Sequence, residues 1–329
     1  MARLLVTGGA GYVGSHALRA LLRAGHGAVV VDDLRAGRAG FVRGADLVRA
    51  DVGDAAALAE IFRSRGPFDG VLHFAASIEV GESLRRPLAF YRNNVSASAT
   101  LIEVCVGAGV RAFVFSSSAA VYGNASEQPI PESAPYAPLS PYGSSKVMVE
   151  RMLADAEAAH GMRYAALRYF NACGADPGGG LGECHEPETH LIPLALRAAA
   201  GRGPALRLFG SEHATRDGTC ERDYVHVWDL ADAHVRALEG LLAAGPGGAF
   251  NLGSGAGHSV REVIGVIERV IGRPMPVESA PPRPGDPPAL VADASRFRST
   301  YSWAPRCSDL ETIIRTAWAW EQESEEVKK

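Results

Sequence analysis

The sequence predicts an α/β fold: a doubly wound parallel sheet accompanied by a smaller mixed α/β lobe. Three observations carry this. Short apolar runs alternate with helix-periodic stretches through the first half of the chain. A glycine-rich turn, Thr7-Gly8-Gly9-Ala10-Gly11-Tyr12-Val13-Gly14, joins the first run to the first periodic stretch. The rhythm then breaks after about Asn171. Of the 329 residues, 47% are hydrophobic and 21% charged, which excludes a disordered chain.

The elements follow in order. Leu4-Leu5-Val6 and Ala28-Val29-Val30-Val31 are apolar runs suited to strands buried on both faces. Between them Val13, Ala17, Leu18, Leu21 and Leu22 recur at helical spacing, and Gly25 supplies a stop. Residues 46–51, 71–74, 113–115 and 164–169 read as further strands. Residues 54–65, 92–108 and 142–160 read as helices. Beyond Asn171, the stretches 174–190 and 272–288 are rich in Gly, Pro or charge and read as long loops. A first lobe is expected over 1–176, with 218–245 returning to it. A second, substrate-binding lobe is expected over 177–329, and the acidic-then-basic end from Glu321 to Lys329 reads as a solvated tail.

The glycine turn has a chemical reading. Gly8 permits the tight bend, Gly11 lets backbone approach a pyrophosphate, and Gly14 allows close helix–sheet packing. The helix beginning near Tyr12 and Val13 then offers unpaired N–H groups to phosphate. Asp32 ends the second strand, 24 residues after Gly8, where its carboxylate can accept from ribose hydroxyls. With Asp33 it would repel a 2′-phosphate, so NAD is expected rather than NADP. Asp51 and Val52, after the third strand, are placed to flank the adenine; a strand-end carboxylate in solvent is the plainer alternative. The whole is the start of a Rossmann fold.

Tyr142 and Lys146 stand at i and i+4 on one helix face. A free phenol titrates near about 10 and is a poor base at neutral pH. A neighbouring ammonium, and a bound nicotinamide cation, would favour the phenolate. Three of the 33 basic residues are lysine, and two of those are Lys328 and Lys329. Lys146 is thus the sole interior lysine in a chain that otherwise uses arginine, as though an ammonium were required there. Ser116, Ser117 and Ser118 follow an apolar strand at the carboxyl end of the sheet, where ligands bind in open α/β folds. A serine there can bond a substrate hydroxyl or the Tyr142 oxygen.

Gly8-x-x-Gly11-x-x-Gly14, Ser116-Ser117-Ser118-x-x-Val121-Tyr122-Gly123 and Tyr142-x-x-x-Lys146 together resemble the extended short-chain dehydrogenases/reductases. His73-Phe74-Ala75-Ala76, Arg168-Tyr169-Phe170-Asn171, Arg222-Asp223-Tyr224-Val225-His226 and Arg283-Pro284-Gly285-Asp286 narrow the resemblance to the UDP-glucose 4-epimerase family. The resemblance implies a homodimer built through helices 92–108 and 142–160, whose Val147, Val149 and Met152 suit that face or the core equally. It implies reversible epimerisation at C4 of a UDP-hexose through a 4-keto intermediate, with Tyr142, Lys146 and Ser118 catalytic. It also implies that Leu34, Phe74, Ala75, Ala76, Asn93, Ser116 and Tyr169 lie near NAD. Phe170, Asn171, Leu191, Leu208, Phe209, Arg222, Arg283, Asp286 and Leu290 would line the UDP-sugar site. For Leu191, Leu208 and Phe209, plain core packing is an equal alternative.

Ile78 stands where the family often has a lysine. Leu290 stands where relatives vary a pocket-wall residue, so acceptance of N-acetylhexosamine or pentose substrates stays open. Ala119-Ala120 after Ser118 supply no acid to eliminate water, which disfavours a dehydratase. A non-catalytic NAD-sensing protein would be free to lose the Tyr–Lys pair, and this chain keeps it. The segment Cys184-His185-Glu186-Pro187-Glu188-Thr189-His190 matches no structural zinc spacing and is expected to be a loop beside the sugar nucleotide, with no metal. A net charge of −4 gives no footprint for nucleic acid or membrane. Five cysteines without a C-x-x-C pair, and too few residues before the glycine turn for a signal peptide's apolar core, lead to the expectation of a cytoplasmic protein.

Overall fold

The computed structural model describes residues 1–283 and 286–323; Pro284, Gly285 and the expected tail beyond 323 lie outside the described residues. The first half alternates as expected: β1 (Arg3–Thr7), α1 (Tyr12–Arg23), β2 (Gly27–Asp32), β3 (Asp46–Arg49), α2 (Ala55–Arg65) and β4 (Gly70–His73). Next come α3 (Val80–Arg85), α4 (Pro87–Phe90), a π-helical stretch (Tyr91–Ser96), α5 (Ala97–Gly107), β5 (Ala112–Ser118), α6 (Pro141–His160) and β6 (Arg163–Tyr169). The strands pair in parallel in the order β3-β2-β1-β4-β5-β6.

Strand periodicity assigns the two faces. Leu4, Val6, Leu72 and Val114 point to one side, against α1, while Leu5, Val71, Phe113 and Phe115 point to the other, against α2, α5 and α6. Such strands carry no solvent face, which is why they read as continuous apolar runs. Helix ends follow local chemistry. The Asp54 carboxylate accepts from Ala56 N and Ala57 N at the start of α2. Ser140 Oγ accepts from Gly143 N at the start of α6, whose end turns left-handed at Gly161.

The rest is interleaved. β7 (Asn171–Cys173), α7 (Leu191–Ala199), β8 (Leu206–Phe209), β9 (Glu221–His226), β11 (Gly257–Ser259), α9 (Val260–Ile271), β12 (Val277–Ala280), β13 (Ala289–Leu290) and α11 (Leu310–Gln322) build the smaller lobe. β9 pairs with β7 and β13 in parallel and with β11 antiparallel, and β12 pairs with β8. α8 (Val227–Leu242) returns to the large sheet. The expectation that everything from 177 onward, apart from 218–245, belongs to the second lobe needs correction. β10 (Gly248–Leu252) is a further parallel strand beside β6, and Phe297 and Tyr301 of α10 (Ser295–Tyr301) pack on it. Without β10, the edge of β6 away from β5 would leave its ladder groups unpaired. The helix expected over 92–108 is also longer and locally widened, a form that recurs where helices serve a site. No helix among the described residues is long and apolar enough to cross a membrane.

One charged pair lies inside the large lobe. Arg168 on β6 and Glu150 on α6 are both buried, with Arg168 Nη2 donating to Glu150 Oε2 at 2.6 Å and Nε to Oε1 at 3.0 Å. Arg168 also donates to the hydroxyls of Tyr122 (2.7 Å) and Tyr136 (2.6 Å), and Ser117 Oγ donates to Glu150. Removing one member leaves a buried charge without its partner. Arg168→Met should therefore cost about 3–5 kcal/mol, read from urea unfolding midpoints; a loss under about 1 kcal/mol would be the figure for an exposed pair.

Candidate active site

The carboxyl ends of the strands open into one cleft of about 1230 Å3, walled by both lobes. That exceeds the roughly 300–1,000 Å3 of a single small-molecule pocket and leaves room for two ligands side by side. It gathers the predicted residues Gly8, Gly11, Tyr12, Val13, Gly14, Asp32, Asp33, Asp51, Val52, Phe74, Ala75, Ala76, Asn93, Ser116, Ser118, Tyr142, Lys146 and Tyr169. Phe170, Asn171, Leu191, Phe209, Arg222, Arg283, Asp286 and Leu290 line the rest of it. Two expected residues do not line it. Leu34 holds a left-handed backbone (φ 61) and gives its N–H to Asp32, and Leu208 is buried under the small lobe.

The glycine turn is shaped to admit a dinucleotide. Gly8 (φ 71) lies so close to β4 that a Cβ would come within 2.5 Å of Ala75 N. A Cβ at Gly11 would meet only the Gly8 carbonyl oxygen, at 3.3 Å, so its outer side is open to the cleft. Asp32 accepts from Ala10 N (3.0 Å) and Leu34 N (2.9 Å), and burial raises its carboxyl above the usual range against those bonds. An open helix N-terminus, a bare glycine turn and a strand-end carboxylate are the donor and acceptor set that NAD requires.

Arg35 is a cleft residue that the sequence reading missed. Its guanidinium pairs with Asp33, donates to Asn93 Oδ1 at 2.9 Å and lies 3.7 Å from Asp51. The available signal was a lone arginine just after two acids and opposite a third.

Tyr142 and Lys146 share the inner face of α6. Lys146, 2% exposed, donates from Nζ to Ser116 O at 2.7 Å and sits 5.6 Å from the Tyr142 ring centre. Ser118 hydrogen-bonds the Tyr142 phenol, and the Ser118 Oγ also accepts from Ala120 N. Burial raises the Tyr142 phenol, and the Ser118 hydrogen bond opposes it only in part. Burial lowers Lys146 to about 7, with Glu150 pulling the other way. Desolvation thus opposes charge on both groups.

On the small-lobe side of the cleft, Arg222 pairs with Asp286, and Arg283 stacks 3.9 Å from the Phe209 ring centre. Asn171 Nδ2 donates to Asp223 O at 3.0 Å. The loop 183–190 forms part of the same wall. It brings Glu183, His185, Glu188 and His190 together, a convergence that their spacing did not reveal.

Lys146 carries a pH signature. Its folded value lies below its value in an unfolded chain, near 10.4. Folding therefore releases its proton between about 7 and 10. Stability contributed at this group is greatest above the unfolded value and falls as pH drops toward 7, below which the penalty is constant. Cofactor-free protein should gain stability from pH 7 to 9.5 relative to Lys146→Met, measured as the difference in urea midpoints. A parallel profile in the two proteins would show that Lys146 is not desolvated.

Residues 4–253 match the NAD dependent epimerase/dehydratase family. A curated relative named UDP-glucose 4-epimerase, from Azospirillum brasilense, is 51% identical over 325 residues, covering 98% of this chain and 93% of its own. The crystal structure of UDP-glucose 4-epimerase from Brucella ovis in complex with NAD superposes with a TM-score of 0.94 at 48% identity, covering 97% of this chain and 98% of that one. UDP-glucose-4-epimerase from Stenotrophomonas maltophila, with bound NAD and formylated UDP-arabinopyranose, superposes with a TM-score of 0.94 at 40% identity, covering 98% of each chain.

Proposed function

Since this chain belongs to the NAD dependent epimerase/dehydratase family, we infer that it inverts C4 of a UDP-hexose reversibly, interconverting UDP-glucose and UDP-galactose with NAD as a resident cofactor. One observation carries the reading: Tyr142, Lys146 and Ser118 converge in the same cleft as the glycine turn and Asp32. NAD, when bound, supplies reversible hydride acceptance from C4 of the sugar.

The chain's own residues do the rest. The amides at the start of α1 would hold the dinucleotide phosphates, and Asp32 its ribose. Tyr142 Oη takes the proton of the sugar 4-hydroxyl as C4 becomes a ketone. It would return that proton when C4 is reduced again on the opposite face of the sugar. Ser118 stabilises the phenolate by hydrogen bonding, and Lys146 supplies an ammonium beside it. Arg222 and Arg283 hold the UDP diphosphate, for which guanidinium forks are suited. Phe209 and Leu191 cover the uridine, and Leu290 forms the wall next to the sugar.

Incubating the protein with UDP-galactose, without added NAD, should yield UDP-glucose. Tyr142→Phe should lower turnover about 100- to 10,000-fold, the range for a lost acid–base group. Undiminished turnover in that variant would overturn the assignment of the proton carrier.

Two chains are proposed to associate through the surface formed by α3, α4 and α6. Leu84 and Leu88 are 61% and 66% exposed there, and Met148 is also exposed. Val147 and Val149, which the sequence left open between that face and the core, are buried core residues, and Met152 is half-buried against the same core as Val149. Leu88→Glu with Met148→Glu should convert a dimer to a monomer in analytical ultracentrifugation, whereas an unchanged mass would exclude this face. Cys105, Cys173, Cys220 and Cys307 are free thiols, which supports a cytoplasmic setting.

A further inference from the structure

The loop before α7 contains a second constellation that the epimerase chemistry does not use. Glu183, His185, Glu188 and His190 each turn one ligand atom inward, and all four atoms lie within 4.8 Å of one another. Glu183 Oε1 is 3.0 Å from His185 Nδ1 and 2.8 Å from His190 Nδ1, and Glu188 Oε1 is 2.8 Å from His190 Nδ1. In a tetrahedral zinc shell with bonds of about 2.0–2.2 Å, neighbouring ligand atoms stand roughly 3.3–3.6 Å apart. The four atoms thus need shifts of only about 1 Å to enclose an ion.

A second observation is independent of this convergence. The Glu188 side chain is 1% exposed, and its Oε2 has no hydrogen-bond partner. A buried carboxylate oxygen left unsatisfied is costly, and a cation is one of the few partners that can satisfy it. The loop is also pinned in place. Glu188 Oε1 accepts from Thr189 N (2.7 Å) and His190 N (2.8 Å), the Glu183 carbonyl accepts from Trp320 Nε1 (2.8 Å), and His185 packs edge-on to Tyr12.

We propose that Glu183, His185, Glu188 and His190 bind one divalent transition-metal ion of the zinc class. Two imidazoles and two carboxylates favour zinc over magnesium or calcium, which prefer all-oxygen shells. The ion fixes the loop leading into α7 against the start of α1, where the two lobes meet at the cleft. This role is separate from proton transfer at Tyr142 and stands or falls independently of it.

The probe is zinc ion alone, added to full-length protein in competition with a chromophoric chelator, together with the metal content of protein purified without chelators. About one zinc per chain is expected, with micromolar or tighter affinity. His185→Ala and Glu188→Gln should each weaken that affinity at least about tenfold, while His258→Ala, outside the loop, should leave it unchanged. Glu188→Gln preserves size and guards against simple unfolding, which circular dichroism would report. Zinc should raise the melting temperature of the parent protein and not that of the double variant His185→Ala/His190→Ala. Equal zinc affinity in parent and variants, or no zinc retained or bound, would overturn the proposal and leave a hydrogen-bonded His–Glu cluster.

Discussion

An ammonium removed from water between β5 and α6 is expensive, and much of the large lobe is arranged so that Lys146 can be there. The Ser116 carbonyl accepts a hydrogen bond from it, the Phe115 and Tyr142 rings present their faces to it, and Glu150 lies one turn further along the same helix. That carboxylate is in turn neutralised by Arg168, which needs the hydroxyls of Tyr122 and Tyr136 to satisfy its own donors. The position of one amine therefore propagates through a connected polar network to strand β6 and the loop after β5. Burial raises the Tyr142 phenol, and a further positive charge in the cleft would favour its ionised form.

The same logic joins the two lobes. Asp223, buried on β9, accepts from Ser254 N, Gly255 N and Ala292 N, and its own carbonyl accepts from Asn171. Asn251 at the end of β10 accepts from Tyr122 and donates to the Ile130 carbonyl. Apolar packing forms each lobe, but these directional bonds set how the loops around the cleft align. Arg222 on β9 and Arg283 in the segment after β12 thereby line the same cleft as Tyr142.

Much of the site was legible in the sequence because its chemistry is local there. The glycine turn, Asp32 and the Tyr142–Lys146 spacing each sit within one strand–helix unit, where period and offset determine geometry. The parallel strands were legible because burial on both faces leaves unbroken apolar runs. What could not be read depends on distant partners. β10 is five residues long and becomes a strand of the large sheet only by pairing with β6. The opposite shifts of Tyr142 and Lys146 are set by desolvation, which spacing does not encode. The exposure of Met148 beside buried Val147 and Val149 depends on what packs over α6. The Glu183–His190 convergence depends on a loop path that Trp320 and Tyr12 constrain from outside.

The chain's repeated crossing between lobes has a consequence for modular engineering. The large sheet is completed only at β10, after the small lobe's β7, β8 and β9 have been made, and α10 returns to cover it after β13. No single cut yields two self-sufficient halves, so a nascent chain cannot finish its first lobe before most of the second has emerged. Grafting a foreign specificity lobe onto this scaffold would require splicing at several junctions at once, and inheritance of new sugar preferences is therefore channelled into point changes along the cleft wall.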